Sequence, residues 1–268
     1  MKYLFANWKM YLDLDESVRL IESVKNEPYD PKKVSLAVFP NFLAIDRAIT
    51  LLRETQIAVG AQNVNWMPQG AYTGAISAYL VKRAGCEYAI IGHSERRYIF
   101  GETNDDVRKK IEACLAVDLA PVVCVGETKE DLANGKRQYR LKKQLMKAFD
   151  NLAMEGKRVL IAYEPVWAIS KTGTREPCNP ADADDVHGWI REEMKKYTSQ
   201  HVPILYGGSV DANNAASYLS RETVDGVLVG RGALGSPWFF RKKELARQAA
   251  RDGAPVTSGS LDEALSLA

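Results

Sequence analysis

Val159-Leu160-Ile161-Ala162-Tyr163-Glu164-Pro165-Val166-Trp167-Ala168-Ile169 holds the transition on which the fold turns. Val159 to Ala162 is a short apolar run of the kind that forms a buried strand. Pro165 lacks an N–H and stops any ladder there. Glu164 therefore sits at the C-terminal mouth of a strand, beside an aromatic residue, where a carboxylate can work as a general base. A single Glu after a strand is usually a solvated surface group. Here Pro165 and Trp167 make a stiff hinge rather than a solvated turn, which favours the chemical role.

Working outward, the same apolar run recurs at about 2–6, 34–39, 57–61, 88–92, 121–125, 158–163, 202–206 and 225–229. Amphipathic stretches of helical length lie between most of them. Leu14, Val18, Ile21 and Val24 mark one helical face, and Asp13 with Glu16 forms a capping-box signature before it. Thr103 with Asp106 repeats that signature, and Ser236-Pro237 reads as an N-cap followed by a first-turn proline. Connections this long do not make hairpins, so the strands are expected to be parallel and joined by helices. Eight strands alternating with eight helices, at roughly thirty residues per unit, point to a (β/α)8 barrel in the α/β class. An open doubly wound sheet is the alternative. It usually carries a glycine-rich turn after its first strand, where this chain has Asn7-Trp8-Lys9. Residues 1–250 read as one barrel domain. Residues 251–268, rich in Gly, Ser and Ala with Pro255 among them, read as a mobile C-terminal tail.

Composition narrows the function classes. The 268 residues carry 36 basic and 34 acidic side chains, a net charge of +2 that offers no footprint for nucleic acid or a membrane surface. The basic runs Arg140 to Lys143 and Arg241 to Lys243 read as solvated helix faces. Cys86, Cys114, Cys124 and Cys178 form no CxxC pair and have no His at ligand spacing, so no metal site is expected and the first three read as packed thiols. That usage fits a reducing compartment. The N-terminus does not read as a signal peptide, and no run reaches membrane-spanning length. A cytoplasmic protein is expected.

In such a barrel, functional groups collect at the C-terminal ends of the strands. The first strand delivers Asn7 and Lys9, the fourth Gly92-His93-Ser94-Glu95, and the sixth Glu164. The seventh delivers Gly207-Gly208-Ser209, and the eighth Gly230-Arg231-Gly232. One glycine turn is only a tight turn. Two of them after the last two strands make a phosphate site the better reading, with backbone N–H groups approaching an oxyanion and a helix start behind Ser209 adding its dipole. His187 and His201 read as structural. His93 differs because it ends a strand directly before Ser94-Glu95-Arg96, which can begin a helix. A neutral imidazole there can donate a hydrogen bond to a carbonyl. Lys9 brings positive charge near an anionic substrate, and Glu95 is placed to hold its ammonium. A base, a neutral donor and a cation beside a phosphate clamp suit proton abstraction alpha to a carbonyl.

These strings resemble the triosephosphate isomerase family. The matching segments are FANWKM (5–10), GAQNV (60–64), GAYTG (70–74), GHSERR (92–97), CVGE (124–127), AYEPVWAI (162–169), YGGSV (206–210) and LVG (228–230). They occur in the family's order and span residues 2 to about 245. The resemblance implies that Glu164 shuttles a proton between two substrate carbons while His93 polarises the carbonyl. It implies that Lys9 stabilises the developing charge, Asn7 orients the substrate, and Gly207, Gly208, Ser209, Gly230 and Arg231 give backbone donors to the phosphate beside Leu228. It further implies a lid hinged at Pro165-Val166-Trp167, no metal or organic cofactor, and a homodimer in which the Thr73 loop docks near the partner's active site.

Three departures from the family pattern stand out. The lid tip reads Ser170-Lys171-Thr172-Gly173-Thr174-Arg175-Glu176-Pro177 rather than Gly-Thr-Gly-Lys, so the lid amide that grips phosphate comes from Ser170 or from Gly173, in a different tip geometry. Arg231 stands where the family usually has a second glycine; its side chain either faces solvent, the favoured reading for a bulky residue in a tight turn, or lends charge to the phosphate. Ala75 replaces a Glu that pairs across the dimer with an arginine corresponding to Arg96, so loop packing rather than that ion pair is expected to hold the dimer.

Two other classes compete. Gly230 to Trp238 is similar to the phosphate-gripping turn of some tRNA-modifying flavin reductases, which would make the purified protein yellow; that similarity spans about ten residues and leaves Lys9, His93 and Glu164 unexplained. A catalytically silent phosphate-binding barrel would be expected to have lost one of Asn7, Lys9, His93 or Glu164, and all four are present.

Overall fold

The computed structural model describes residues 1–169 and 178–234. Eight strands, β1 (Lys2–Asn7), β2 (Val34–Phe39), β3 (Ala58–Ala61), β4 (Tyr88–Ile91), β5 (Ala120–Val125), β6 (Leu160–Tyr163), β7 (Ile204–Tyr206) and β8 (Gly226–Val229), close into one barrel in chain order. Every pairing is parallel, and β8 returns to β1 through Tyr3 opposite Gly226 and Ala6 opposite Val229. All eight apolar runs of the sequence are strands.

The helices are α1 (Leu14–Lys25), α2 (Ile45–Leu52), α3 (Ala78–Ala84), α4 (Ser94–Tyr98), α5 (Asn104–Ala116), α6 (Lys129–Ala133), α7 (Arg137–Phe149), α8 (Pro180–Met194) and α9 (Ala215–Leu219). The capping boxes expected at Asp13/Glu16 and Thr103/Asp106 both form. One helix per unit is too simple for the fourth and fifth units. After β4 and again after β5 a five-residue helix precedes the long one. Gly101 (φ 72°) and Gly135 (φ 65°) supply the left-handed break between the two members of each pair. The helix start expected at Ser236-Pro237, the basic run at 241–243, the lid tip 170–177 and the tail 251–268 lie outside the described residues.

Alternation along the strands divides the core in two. Phe5, Phe39, Ala58, Tyr88, Ile90, Val122, Cys124, Leu160, Ala162, Leu205 and Leu228 are among the residues that fill the barrel interior. Their neighbours, such as Ala6, Val38, Ile91, Val123, Ile161, Tyr163 and Val227, form the shell under the helices. Aromatic rings plug the interior: Phe5 lies 5.5 Å from Phe39 and 4.7 Å from Tyr88, centroid to centroid. Gly60 is glycine because a Cβ there would overlap the Phe39 ring. The interior is therefore a packed core rather than a pore.

Candidate active site

The period-two alternation that fills the barrel also builds the site. Following the inward-facing positions to the mouth places Asn7, the last residue of β1, after Phe5 and, just past their strands, Glu164 after Ala162, Gly207 after Leu205 and Gly230 after Leu228. All four line one cavity of about 470 Å³ at the C-terminal mouth, together with Lys9, His93, Ile169, Gly208, Ser209, Leu228 and Arg231. The size suits a small ligand.

Glu164 is only 2 % exposed. Its backbone N–H closes onto the Val125 carbonyl at 2.7 Å, which fixes where the side chain departs. One carboxylate oxygen, Oε2, accepts from the Ser94 N–H at 2.9 Å, at the first turn of α4. The other, Oε1, lies 3.2 Å from His93 Nε2 but is not aligned with it as a hydrogen bond, and no other described donor reaches it. Two glycines make room for this residue. A Cβ on Gly126 would overlap the Glu164 carbonyl oxygen, and one on Gly207 would stand 2.8 Å from Glu164 Cγ. Below it, burial first and then the Glu164 charge push the Cys124 thiol well above its ordinary pKa, so Cys124 is an inert packed thiol.

His93 is the N-cap of α4, as its position before Ser94-Glu95-Arg96 suggests. Its Nδ1 accepts from the Glu95 N–H at 3.2 Å. With Nδ1 used as an acceptor, the proton of a neutral ring is on Nε2, the nitrogen that faces Glu164 and the cavity.

Lys9 has a left-handed backbone, φ 52°, which is rare for a residue with a side chain. Three contacts hold it there. Its N–H donates to Asn7 Oδ1 at 3.1 Å, its carbonyl accepts from Gln62 Nε2 at 2.7 Å, and its Nζ donates to Glu95 Oε1 at 2.8 Å. Strained backbone of this kind gathers at working sites, where the surroundings impose it.

The two glycine turns differ from expectation in detail. The Gly207 N–H donates to the Tyr163 carbonyl at 2.8 Å, so it is spent on the barrel and is not a donor toward the cavity. Gly207 contributes space instead. The N–H groups of Gly208 and Gly230 have no acceptor among the described residues, and Ser209 Oγ donates to the Ala168 carbonyl at 2.6 Å. A side chain on Gly208 would overlap the Tyr206 hydroxyl. No helix starts directly behind Ser209. The chain turns through Asp211, whose carboxylate accepts the Asn213 and Asn214 N–H groups, and α9 begins only at Ala215. The dipole expected there is absent because the capping turn comes between. Behind Gly230 a single 3-10 turn, Arg231–Ala233, follows at once.

Four supporting residues escaped the sequence reading. Glu127, fully buried, accepts from Trp167 Nε1 at 2.7 Å and from the Tyr163 hydroxyl at 3.1 and 3.2 Å, with the Arg137 guanidinium 3.2 Å away. Gln62 bridges the Lys9 and Phe39 carbonyls. Gln144 holds both the N–H and the carbonyl of Gly126. Arg97 binds the Gly92 and Cys124 carbonyls and Asn104. Glu127, Gln62 and Arg97 each lie inside a family-like string, which was the available signal; Gln144 has none. His187 is buried against Tyr163 and Tyr206, and His201 lies on the surface by Arg191 and Asp225; neither lines the cavity. The two lid positions, Ser170 and Gly173, lie outside the described residues. Among the described residues no three His, Cys, Asp or Glu side chains gather as a metal site, and no helix is long and apolar enough to cross a membrane.

Comparison with known proteins matches the triosephosphate isomerase family over residues 2–246. Curated relatives bearing that name include one from Roseiflexus sp. (strain RS-1), 40% identical across 89% of this chain and 94% of the relative. Others come from Dictyoglomus thermophilum, 40% identical across 89% and 97%, and from Aquifex aeolicus, 37% identical across 90% and 97%.

Proposed function

The chain belongs to the triosephosphate isomerase family, and on that premise we propose that Glu164, His93, Lys9 and Asn7 form its catalytic set, with Glu95 holding Lys9. The reaction interconverts dihydroxyacetone phosphate and D-glyceraldehyde 3-phosphate by proton transfer through an enediolate, a step of glycolysis and gluconeogenesis. The observation that carries the assignment is the buried Glu164 carboxylate, with one oxygen on the Ser94 N–H and the other facing His93 Nε2 at the cavity.

The geometry supports each role. Glu164 swings off the Ser94 amide and takes a proton from the substrate carbon next to the carbonyl; the bare Cα of Gly207 leaves its Cγ room to move. The electron pair of the broken C–H bond becomes the carbon–carbon double bond, and the carbonyl oxygen gains charge. His93 Nε2–H donates to that oxygen, and the Lys9 ammonium offsets the charge. Glu164 then returns its proton to the neighbouring carbon while His93 moves a proton between the two oxygens. A carboxylate base with a neutral imidazole is the known arrangement of this enzyme family. The Gly208 and Gly230 N–H groups, with Ser209 and Arg231, bind the phosphate, and a lid hinged at Pro165 to Trp167 excludes water from the enediolate. The lid amide, from Ser170 or Gly173, completes the grip.

Residues 1–250 act as one catalytic domain, with 251–268 as a tail, and the enzyme works in the cytoplasm as a homodimer. Support for the dimer comes from the mouth of β1 to β4. Met10 is 93 % exposed and Leu43 84 %, and Tyr72, Ile99 and Phe100 are exposed on the adjoining loops. Exposed apolar side chains on neighbouring loops favour an interface there. The Thr73 loop stands out between paired bases, Asn65 to Ile76, with a tight turn from Tyr72 to Ala75, so it is stiff enough to dock. With Ala at position 75, Arg96 is satisfied inside its own chain by Glu102 at 2.7 Å and by the Phe100 ring at 4.4 Å. The interface is thus predominantly apolar, and sedimentation at micromolar concentration should give a dimer that persists at high salt. Turnover of glyceraldehyde 3-phosphate, coupled to NADH oxidation, tests the active-site assignment: it should be rapid in the wild type and collapse in Glu164→Gln. An active Glu164→Gln enzyme would remove the base from this scheme.

A further inference from the structure

We propose that Gln144 is a positioning residue for the catalytic base: through the backbone of Gly126 it sets where Glu164 leaves β6. This rests on the assignment of Glu164 as the base made above.

The strand pattern carries the inference. In a parallel ladder, successive residues of one strand turn their N–H and C=O groups toward opposite neighbours. β5 runs on past Val125 beside the chain that leaves β6. The Glu164 N–H donates to the Val125 carbonyl at 2.7 Å, and the Val166 N–H donates to the Glu127 carbonyl at 3.0 Å. Val125 and Glu127 thus face β6, and Gly126 between them faces the β4 side. Pairing with β4 has already stopped there, at Ile91 opposite Val123. Side chains continue the ladder in its place. Arg97 Nη2 donates to the Cys124 carbonyl at 3.2 Å. Gln144, from α7, accepts the Gly126 N–H on Oε1 at 2.8 Å and donates from Nε2 to the Gly126 carbonyl at 3.1 Å. A primary amide can serve both groups of one residue because it carries a donor and an acceptor side by side; a carboxylate or an ammonium offers one of the two.

Gly126 in turn bears directly on the base. A Cβ on Gly126 would lie 1.8 Å from the Glu164 carbonyl oxygen and 2.6 Å from the carbonyl carbon, so the two backbones touch with no side chain between them. A shift of Gly126 is therefore passed to Glu164. The ladder bonds at Val125 and Glu127 hold Glu164 and the hinge residue Val166 in the same frame. Gln144 is itself buried, and its helix neighbours Leu141, Leu145 and Ala148 are packed into the shell around the barrel. The amide thus ties the base to the packed shell rather than to the loops of the mouth.

The test compares wild type with three variants. Gln144→Met keeps the bulk and loses both bonds, Gln144→Asn withdraws the amide by one methylene, and Leu145→Ala loosens the same helix but leaves the amide in place. On folded protein, kcat and KM for glyceraldehyde 3-phosphate are measured alongside hydrogen exchange of the peptide 160–169 by mass spectrometry. Gln144→Met should lower kcat about tenfold and Gln144→Asn about fivefold, with KM nearly unchanged, because a misplaced base costs turnover rather than ground-state binding. Exchange across 160–169 should quicken in both, through the Glu164 and Val166 amides, and stay near the wild-type rate in Leu145→Ala, whose kcat should also hold. If Gln144→Met does not fold, Gln144→Asn decides alone. Wild-type kcat in the Gln144 variants, a rise in KM alone, or an equal fall of kcat in Leu145→Ala would overturn the inference, the last marking a merely structural role. A wild type without isomerase turnover would sink the proposed function, and exchange would still decide the placement of Glu164: quickened in the Gln144 variants it sustains the inference, unchanged it rejects it.

Discussion

Glu127 and Glu164 are both carboxylates with almost no exposure to solvent, and the barrel treats them in opposite ways. Glu127 lies outside the barrel and has donors on both oxygens: an indole N–H reaches Oε1 and a phenol hydroxyl reaches Oε1 and Oε2, with a guanidinium 3.2 Å away. Glu164 lies inside the strands and is half served, with one oxygen on a single backbone N–H and the other without an aligned donor among the described residues. A buried charge that only has to be stable takes donors on both of its oxygens. A buried charge that has to react keeps one oxygen open to the space where substrate comes. Partner count, rather than burial, separates the structural carboxylate from the working one.

Exchanging each for its amide is the strongest way to break that contrast. Glu164→Gln should lower kcat about 10³-fold, the range for losing a general base, while urea stability changes by less than about 1 kcal/mol. Coupled turnover and urea melts on the same preparation decide it. A large stability loss would mean that Glu164 is structural as well.

His187 lies against Tyr163, on the Glu127 side of β6, and supplies a titratable group with no described partner at Nε2. Burial lowers its pKa from 6.5 to about 4. The folded protein therefore refuses a proton that the unfolded chain accepts, so stability is intact above pH 6.5 and is lost as pH falls toward 4. The loss should reach about 3 kcal/mol by pH 4. Replacing His187 with Gln should flatten that acid limb in urea melts between pH 7 and 4.5; an unchanged limb would mean the ring is not the group that titrates.

Glu127→Gln should show the mirror image of the first variant. Loss of a charged acceptor with several donors should cost about 2 kcal/mol of stability, with kcat falling less than tenfold. If its kcat fell as far as that of Glu164→Gln, the division between the two carboxylates would be wrong.

The smallest effect sharpens the comparison instead. Gly207→Ala adds one methyl 2.8 Å from Glu164 Cγ and otherwise meets the Tyr163 carbonyl oxygen only at ordinary contact distance, 3.4 Å. It should lower kcat about tenfold through misplacement of the base, with KM nearly unchanged. Steady-state kinetics on the purified variant would show whether the base needs that space.

The sequence made the inner side of this comparison legible and left the outer side dark. Strand ends and period-two alternation can be read residue by residue, which is why Asn7, His93, Glu164 and Gly230 were found at the mouth. His93 was separable from His187 because one ends a strand and the other sits in α8. Glu127 was invisible as a structural carboxylate because its neighbours lie far along the chain, Tyr163 and Trp167 at the end of β6 and Arg137 at the start of α7. The same holds for Gln144, whose two bonds to Gly126 span eighteen residues. Gly207 was misread as a phosphate donor because glycine in a turn does not announce whether its N–H is already taken. The paired helices after β4 and β5 were legible only in hindsight, through Gly101 and Gly135, since a glycine can end a helix or merely weaken it.

Tyr163 and Glu164 are consecutive, yet one points through the wall of the barrel and the other into its mouth. In evolutionary terms this makes β6 a ruler. Its apolar residues can be exchanged for others of similar bulk, and the site will stay where it is. Gaining or losing a single residue before Glu164 would turn the carboxylate away from the mouth and put Tyr163 or Pro165, respectively, in its place. Lineages of this enzyme can therefore drift widely in the composition of that strand but have almost no freedom in its length.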